Sequence, residues 1–106
     1  MQAIEVYREI SQLSQVMLEL ARKGQWDDLL EHERQRAESV AKLIPLVGDE
    51  PAGNAAQREE MILLIRQIQA FDEETASLTR AWMSELGAVL NSLDSSKKLQ
   101  QAYKEQ

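Results

Sequence analysis

The residues able to do chemistry are few and scattered. His32 is the sole histidine, with Asp28 one helical turn before it and Glu31 beside it. A metal site needs several such ligands converging on one point, so this histidine reads as a surface residue on a charged face. Ser11, Ser14, Ser39, Ser77 and Ser84 lack the glycine-framed elbow that presents a nucleophile. The glycines are isolated, which leaves no backbone loop to cradle a phosphate. Cysteine is absent, and with it go disulfides, thiolate ligands and thiol nucleophiles.

Two carboxylates are less ordinary. Glu33 occupies the position between Leu30 and Ala37 on an apolar helical seam, and Asp72 falls within the apolar arc of a later helix. A buried charge costs several kcal/mol unless it is paired. Arg36 and Tyr7 are within reach of Glu33 as partners in a structural ion pair or hydrogen bond. Alternatively the two carboxylates line a groove that a partner fills. Ile62 and Leu63 turn away from the core arc of their helix, Leu43 lies at the edge of its own, and Ile4 lies off its seam. A contiguous set of such residues would mark an interaction surface. A small helical enzyme acting on a dianion, as the helical chorismate mutases do, would need several cations reaching into its core. Arg8, Arg22, Arg34, Arg36, Arg58, Arg66 and Arg80 mostly fall outside the seams. The expectation is a binding protein with no catalytic, metal or cofactor site.

The bulk properties agree. A chain of 106 residues has room for one small core. Its net charge of −6 opposes phosphate binding, so no nucleic-acid partner is expected. Lys97, Lys98 and Lys104 form a small basic tail that reads as a solvated helix end. The longest unbroken apolar run, Met61-Ile62-Leu63-Leu64-Ile65, falls far short of a membrane span. Glu5 and Glu9 stand where a secretion signal would carry positive charge. A soluble, cytoplasmic protein is expected.

The elements that position these residues are helices. Val6, Ile10, Leu13, Met17 and Leu20 step by four and three, with Arg22, Lys23 and then Gly24 closing the turn. Asp27 and Asp28 open a second helix, whose seam is Trp26, Leu30, Ala37, Val40 and Ile44. The short connection makes the pair a helical hairpin. Pro45 should end or kink the second helix near Ile44, and Gly48, Pro51 and Gly53 mark a loop over 46–54. Asn54 is an N-cap for a long third helix with seam Met61, Leu64, Ile68, Phe71, Thr75, Leu78, Trp82, Leu86, Val89 and Leu93. That helix exceeds the hairpin in length, so part of it must overhang, bend or find another partner. The fold expected is an all-α, antiparallel three-helix bundle (3–23, 26–44, 55–93) with a short fourth helix. The bundle would occupy 1–94. Segment 95–106, with Leu99, Ala102 and Tyr103 at helical spacing, would be a marginal regulatory helix.

Three motifs carry a resemblance to a known family. Gly24-Gln25-Trp26-Asp27-Asp28-Leu29-Leu30 with Glu33 and Arg36 resembles the Gly-x-Trp-Asp hairpin of the FliT-type flagellar export chaperones. The stretch Ile65-Arg66-Gln67-Ile68-Gln69-Ala70-Phe71-Asp72 resembles their third-helix segment, and Lys97-Lys98-Leu99-Gln100-Gln101-Ala102-Tyr103 their C-terminal one. His32 departs from the pattern, where a Leu is expected. The resemblance implies a chaperone for the filament-cap protein FliD, whose C-terminal segment is held as an amphipathic helix in an apolar groove. It implies delivery to the export ATPase and to the gate protein FlhA, with Tyr103 matching a gate-docking tyrosine. It further implies a last helix that folds back over the groove and, in some relatives, restraint of the flagellar master regulator. The partner-binding candidates are Trp26, Leu30, Glu33, Ile62, Leu63 and Asp72; the regulatory or gate-docking candidates are Leu99, Ala102 and Tyr103. A monomer or weak homodimer fits such a chaperone. The competing reading is a coiled-coil scaffold, which would be a tight, obligate oligomer.

Overall fold

The computed structural model describes residues 2–49 and 54–104. Three helices and no strand are present among them: α1 (Ala3–Arg22), α2 (Trp26–Asp49) and α3 (Ala55–Lys104). The chain divides into two compact units, Met1–Ala76 and Ser77–Gln106, and α3 contributes to both.

In the first unit α1 supplies most of the core. Ala3, Ile4, Val6, Ile10, Met17, Leu18 and Ala21 are buried on it, joined by Leu29 of α2. Ile4, read from spacing as an off-seam residue, is therefore a core residue. Buried serines let the helices approach closely: Ser39 of α2 donates to Glu9 Oε2 at 3.2 Å, and Ser14 of α1 is completely enclosed. The turn between α1 and α2 depends on Gly24, whose φ of +70° an L-residue rarely adopts. Its N–H donates to the Ala21 carbonyl at 3.1 Å and that of Gln25 to the Leu20 carbonyl at 2.9 Å. That pair of bonds is the Schellman closure of a helix C-terminus.

Side-chain bonds tie α3 to α1. Arg8 donates to both carboxylate oxygens of Glu60, Ser11 to Gln67 at 3.5 Å, and Arg22 to Glu74. The numbers rise together on both helices, so this part of α3 runs in the direction of α1. The pairs Ser39–Glu9 and Arg36–Ser14 run oppositely, which makes α1 and α2 antiparallel. Asn54 caps α3 as expected, its Oδ1 accepting the Gln57 N–H at 2.9 Å.

Three boundaries differ from the sequence expectation. Helix α2 continues through Pro45 to Asp49. A proline forfeits one N–H and crowds the preceding turn, and near a helix end this interrupts little hydrogen bonding. The expected loop over 46–54 thus begins later, and residues 50–53 lie outside the described residues. No separate fourth helix exists: α3 runs without interruption from Ala55 to Lys104. After Gly53 no proline occurs and Gly87 is the sole glycine. Between Leu93 and Leu99 stand only Asp94, two serines and two lysines, none of which opposes helix as proline or glycine does.

The second unit is a single amphipathic helix. None of residues 77–103 is buried, and Met83, Leu86, Val89, Leu90, Leu93, Leu99 and Tyr103 are all exposed. Helices gain most of their stability from packing an apolar face. Backbone amides of 77–104 should therefore exchange with deuterium about tenfold or more faster than those of α1. Amide exchange measured by NMR checks this, and equal protection in both segments would contradict it.

A second expectation concerns acid. The hydrogen bond from Arg8, and then its charge, hold the Glu60 carboxyl below the usual carboxylate range despite an opposing desolvation. A depressed folded value contributes stability that is present above the unfolded pKa of about 4.3 and is lost as pH falls through the folded value. Glu60→Gln should thus reduce stability at neutral pH and flatten its decline below about pH 4.5. Chemical denaturation at a series of pH values provides the comparison, and an unchanged decline would refute the role of this bridge.

Candidate partner-binding site

The polar centre of the first unit is the Arg36 guanidinium. Its Nη1 donates to Ser14 Oγ of α1 at 3.0 Å and to Asp72 Oδ1 of α3, while Nη2 donates to Glu33 Oε2 of α2 at 2.8 Å. The Arg36 side chain is 17% exposed, and those of Glu33 and Asp72 are 47% and 40% exposed. Arginine suits the place because its planar fork can direct several N–H donors at once without losing its charge. Glu33 is therefore paired with Arg36 rather than Tyr7, and it is not buried as its seam position suggested.

The reason lies in which face of α2 is covered. Leu29 and Ser39 are buried and His32, Arg36, Leu43 and Leu46 are partly covered. The face expected to be core is instead open: Leu30 is 64% exposed, Val40 43% and Ile44 75%. A shift of one residue rotates a helix face by about 100°. Helix α2 thus carries two stripes, and the more apolar one faces away from its neighbours. Trp26 stands half-buried at its start, and Ala37 is exposed midway.

A cleft of about 390 Å³ opens along this stripe. Ile10 of α1 and Ile68 of α3 contribute apolar lining, Ala37 and Val40 come from α2, and Glu33, Arg36 and Asp72 complete it. The site thus unites Glu33 and Asp72 through Arg36. Trp26 and Leu30 share the open α2 face but do not line the cleft. Ile62 and Leu63 are exposed, at 51% and 58%, and do not line it either. Leu99, Ala102 and Tyr103 are exposed in the second unit.

Ile10, Val40 and Ile68 as cleft residues, and Arg36 as the link between helices, were not singled out by sequence reasoning. The usable signal was Arg36 itself, a cation one turn from a seam carboxylate. His32 is partly covered, its ring Nδ1 lying 2.8 Å from the Asp28 carbonyl oxygen, and no group of three metal-ligating side chains occurs among the described residues. No helix of the described residues is long and apolar enough to cross a membrane.

The family model described as flagellar protein FliT matches residues 4–105, nearly the entire chain. The chain belongs to the FliT family. Comparison with curated proteins and with solved structures returned no match. The matched span includes all three motifs on which the resemblance rested, as well as every residue that lines the cleft. For the FliT family this chain therefore presents an all-helical architecture with an open apolar stripe on α2.

The Arg36 arrangement makes folding and surface roles separable. Arg36→Ala would strand the enclosed Ser14 hydroxyl and two carboxylates, and should lower stability by about 1–3 kcal/mol, less than a fully buried pair because the carboxylates are half solvated. Glu33→Gln should change it by less than about 1 kcal/mol, as exposed ion pairs do. Urea unfolding of both variants tests the order, and a larger loss for Glu33→Gln would reverse this assignment.

Proposed function

We propose that this FliT-family chain is a flagellar export chaperone, not an enzyme, that holds the C-terminal segment of the filament-cap protein FliD as an amphipathic helix. The observation that carries the reading is the open Leu30–Val40–Ile44 stripe of α2 beside a cleft with apolar lining. An amphipathic helix laid in such a groove is a recurrent mode of recognition. Holding a client segment that way shields apolar surface before export. The chaperone then passes its client to the export apparatus in the cytoplasm, through the export ATPase and the gate protein FlhA.

Leu99, Ala102 and Tyr103 are the proposed docking residues for the gate, and their exposure suits that role. A second role for this tail, as a regulatory cover of the groove, would require α3 to break before Leu99. The family resemblance extends the client list to the flagellar master regulator. The net charge of −6 supports a protein client over nucleic acid. A coiled-coil scaffold is the second reading, favoured by the exposed seam from Met83 to Leu93. Light scattering separates the two, because a scaffold is an obligate oligomer whereas the chaperone is a monomer or weak dimer.

The direct test is capture of a FliD C-terminal peptide. Val40→Asp and Ile44→Asp should each weaken it about tenfold or more, as loss of an interface anchor does. Because both side chains are substantially exposed, their melting temperatures should stay close to that of the parent chain. Tyr103→Ala should leave this peptide bound and reduce retention by FlhA. Unchanged peptide affinity in both α2 variants would reject the groove.

A further inference from the structure

Within the first unit, the cleft combines apolar lining with an uncompensated charge. Glu33 and Asp72 share the single guanidinium of Arg36, so the three groups together carry one net negative charge. Each carboxylate uses one oxygen on Arg36. Arg36 engages Glu33 Oε2 and Asp72 Oδ1 and not Glu33 Oε1 or Asp72 Oδ2, and both side chains reach solvent. An ionised carboxylate has about four acceptor positions, so both retain capacity for a further donor. The nearest guanidinium along α2, Arg34, is itself held between Glu31 and Glu38. It is committed elsewhere and leaves the surplus at the cleft in place.

Within the cleft, the apolar lining of α2 lies to one side of that charge, with Leu30 on the far side of Glu33 and outside the cleft. Ala37, Val40 and Ile44 follow Glu33 along α2 at steps of four, three and four. Glu33 to Ile44 spans roughly 16 Å, or about three helical turns. A ligand helix of similar length could seat apolar side chains at i, i+3 or i+4, and i+7 against Val40, Ile44 and Ile68. Its next turn would then stand at Glu33 and Asp72. A neutral residue there would leave the surplus charge beneath the ligand without a partner, which costs binding energy; an acidic one would meet like charge.

We infer that the occupant of this cleft is an amphipathic helix that carries a lysine or arginine one turn beyond its apolar anchors, and that Glu33 and Asp72 select it. The inference rests on the proposed groove-binding role and adds a charge requirement to it. Val40 and Ile44 supply affinity for any apolar helix face. The carboxylates decide which end of the helix lies at Arg36, because the base can reach them in one orientation only.

The test uses the full chain and two sets of peptides in calorimetric titration. The first set is the FliD C-terminal segment, unmodified and with each Lys or Arg replaced in turn by Gln. The second is a designed amphipathic helix with leucine anchors, bearing Lys or Gln in the turn beyond them. Glu33→Gln is the key variant, Glu33→Asp the charge-retaining control, and circular dichroism verifies folding. The Lys peptide should bind the parent chain about five- to tenfold tighter than the Gln peptide, with the advantage shrinking as salt is added. Glu33→Gln should remove most of that advantage, and Glu33→Asp should keep part of it; the double-mutant cycle isolates the coupling. One position in the FliD segment should behave in the same way. Equal affinity of the Lys and Gln peptides, or an advantage untouched by Glu33→Gln, would overturn the charge requirement even with FliD bound. If the FliD segment does not bind while the designed Lys helix does, with the coupling present, the client assignment fails and the charge requirement stands. If neither designed helix binds, the groove reading and this inference fail together.

Discussion

The Arg36 guanidinium is the point through which the three helices of the first unit communicate. It joins an enclosed hydroxyl on α1, a carboxylate one turn away on α2 and a carboxylate on α3. A cation 17% exposed cannot rely on water for its solvation, so the protein must supply oxygen atoms in its plane. That requirement fixes the register of α2 against α1 and of α3 against both. Apolar contacts by themselves tolerate sliding, whereas a fork of directed donors does not. The same requirement holds Glu33 and Asp72 in the lining of the cleft, where both side chains reach solvent.

The orientation of α2 follows from this. With Arg36, Ser39 and Leu29 turned inward, the stripe of Leu30, Ala37, Val40 and Ile44 is turned outward. A maximally buried α2 would place the apolar stripe inside and leave the polar one in water. The observed arrangement gives up that hydrophobic gain, roughly 1.5–3 kcal/mol for each large side chain fully buried. It retains a buried polar face matched by serines on both helices. Large exposed apolar residues in a continuous line are unusual on a free monomer and mark surfaces that meet something else. For a member of the FliT family, an open stripe beside a cleft is consistent with holding another chain's apolar segment.

The second unit presents a related case. Its helix is amphipathic and has no buried residue over 77–103. Such a helix draws its order from intrinsic propensity and from pairs such as Lys98–Asp94 at 3.3 Å, which are worth little in water. Segments with so little buried surface sit at the low-stability end of a fold, where docking and exchange of partners are easiest.

Much was legible without coordinates. The 3.6-residue period set the helices, Gly24 set the turn, and Asn54 set the start of α3, because each depends on neighbours within a few residues. The all-α class and the family motifs followed from the same local information. Of the two outcomes expected at Pro45, the helix does not end there, because proline disfavours the helix interior yet is tolerated near an end. The helical spacing of Leu99, Ala102 and Tyr103 is real, but those residues belong to α3, whose backbone does not break after Leu93. Spacing reports which residues are apolar, while continuity depends on propensity, and the serines there are compatible with helix. What periodicity could not decide was which stripe of α2 would be covered, since both Leu29–Leu43 and Leu30–Ile44 fit a helical face. That choice was made by tertiary structure. Ser14 on α1 and Asp72 on α3 offer oxygen atoms that Arg36 meets, and their distances from it in sequence, 22 and 36 residues, put the pairing beyond any local pattern.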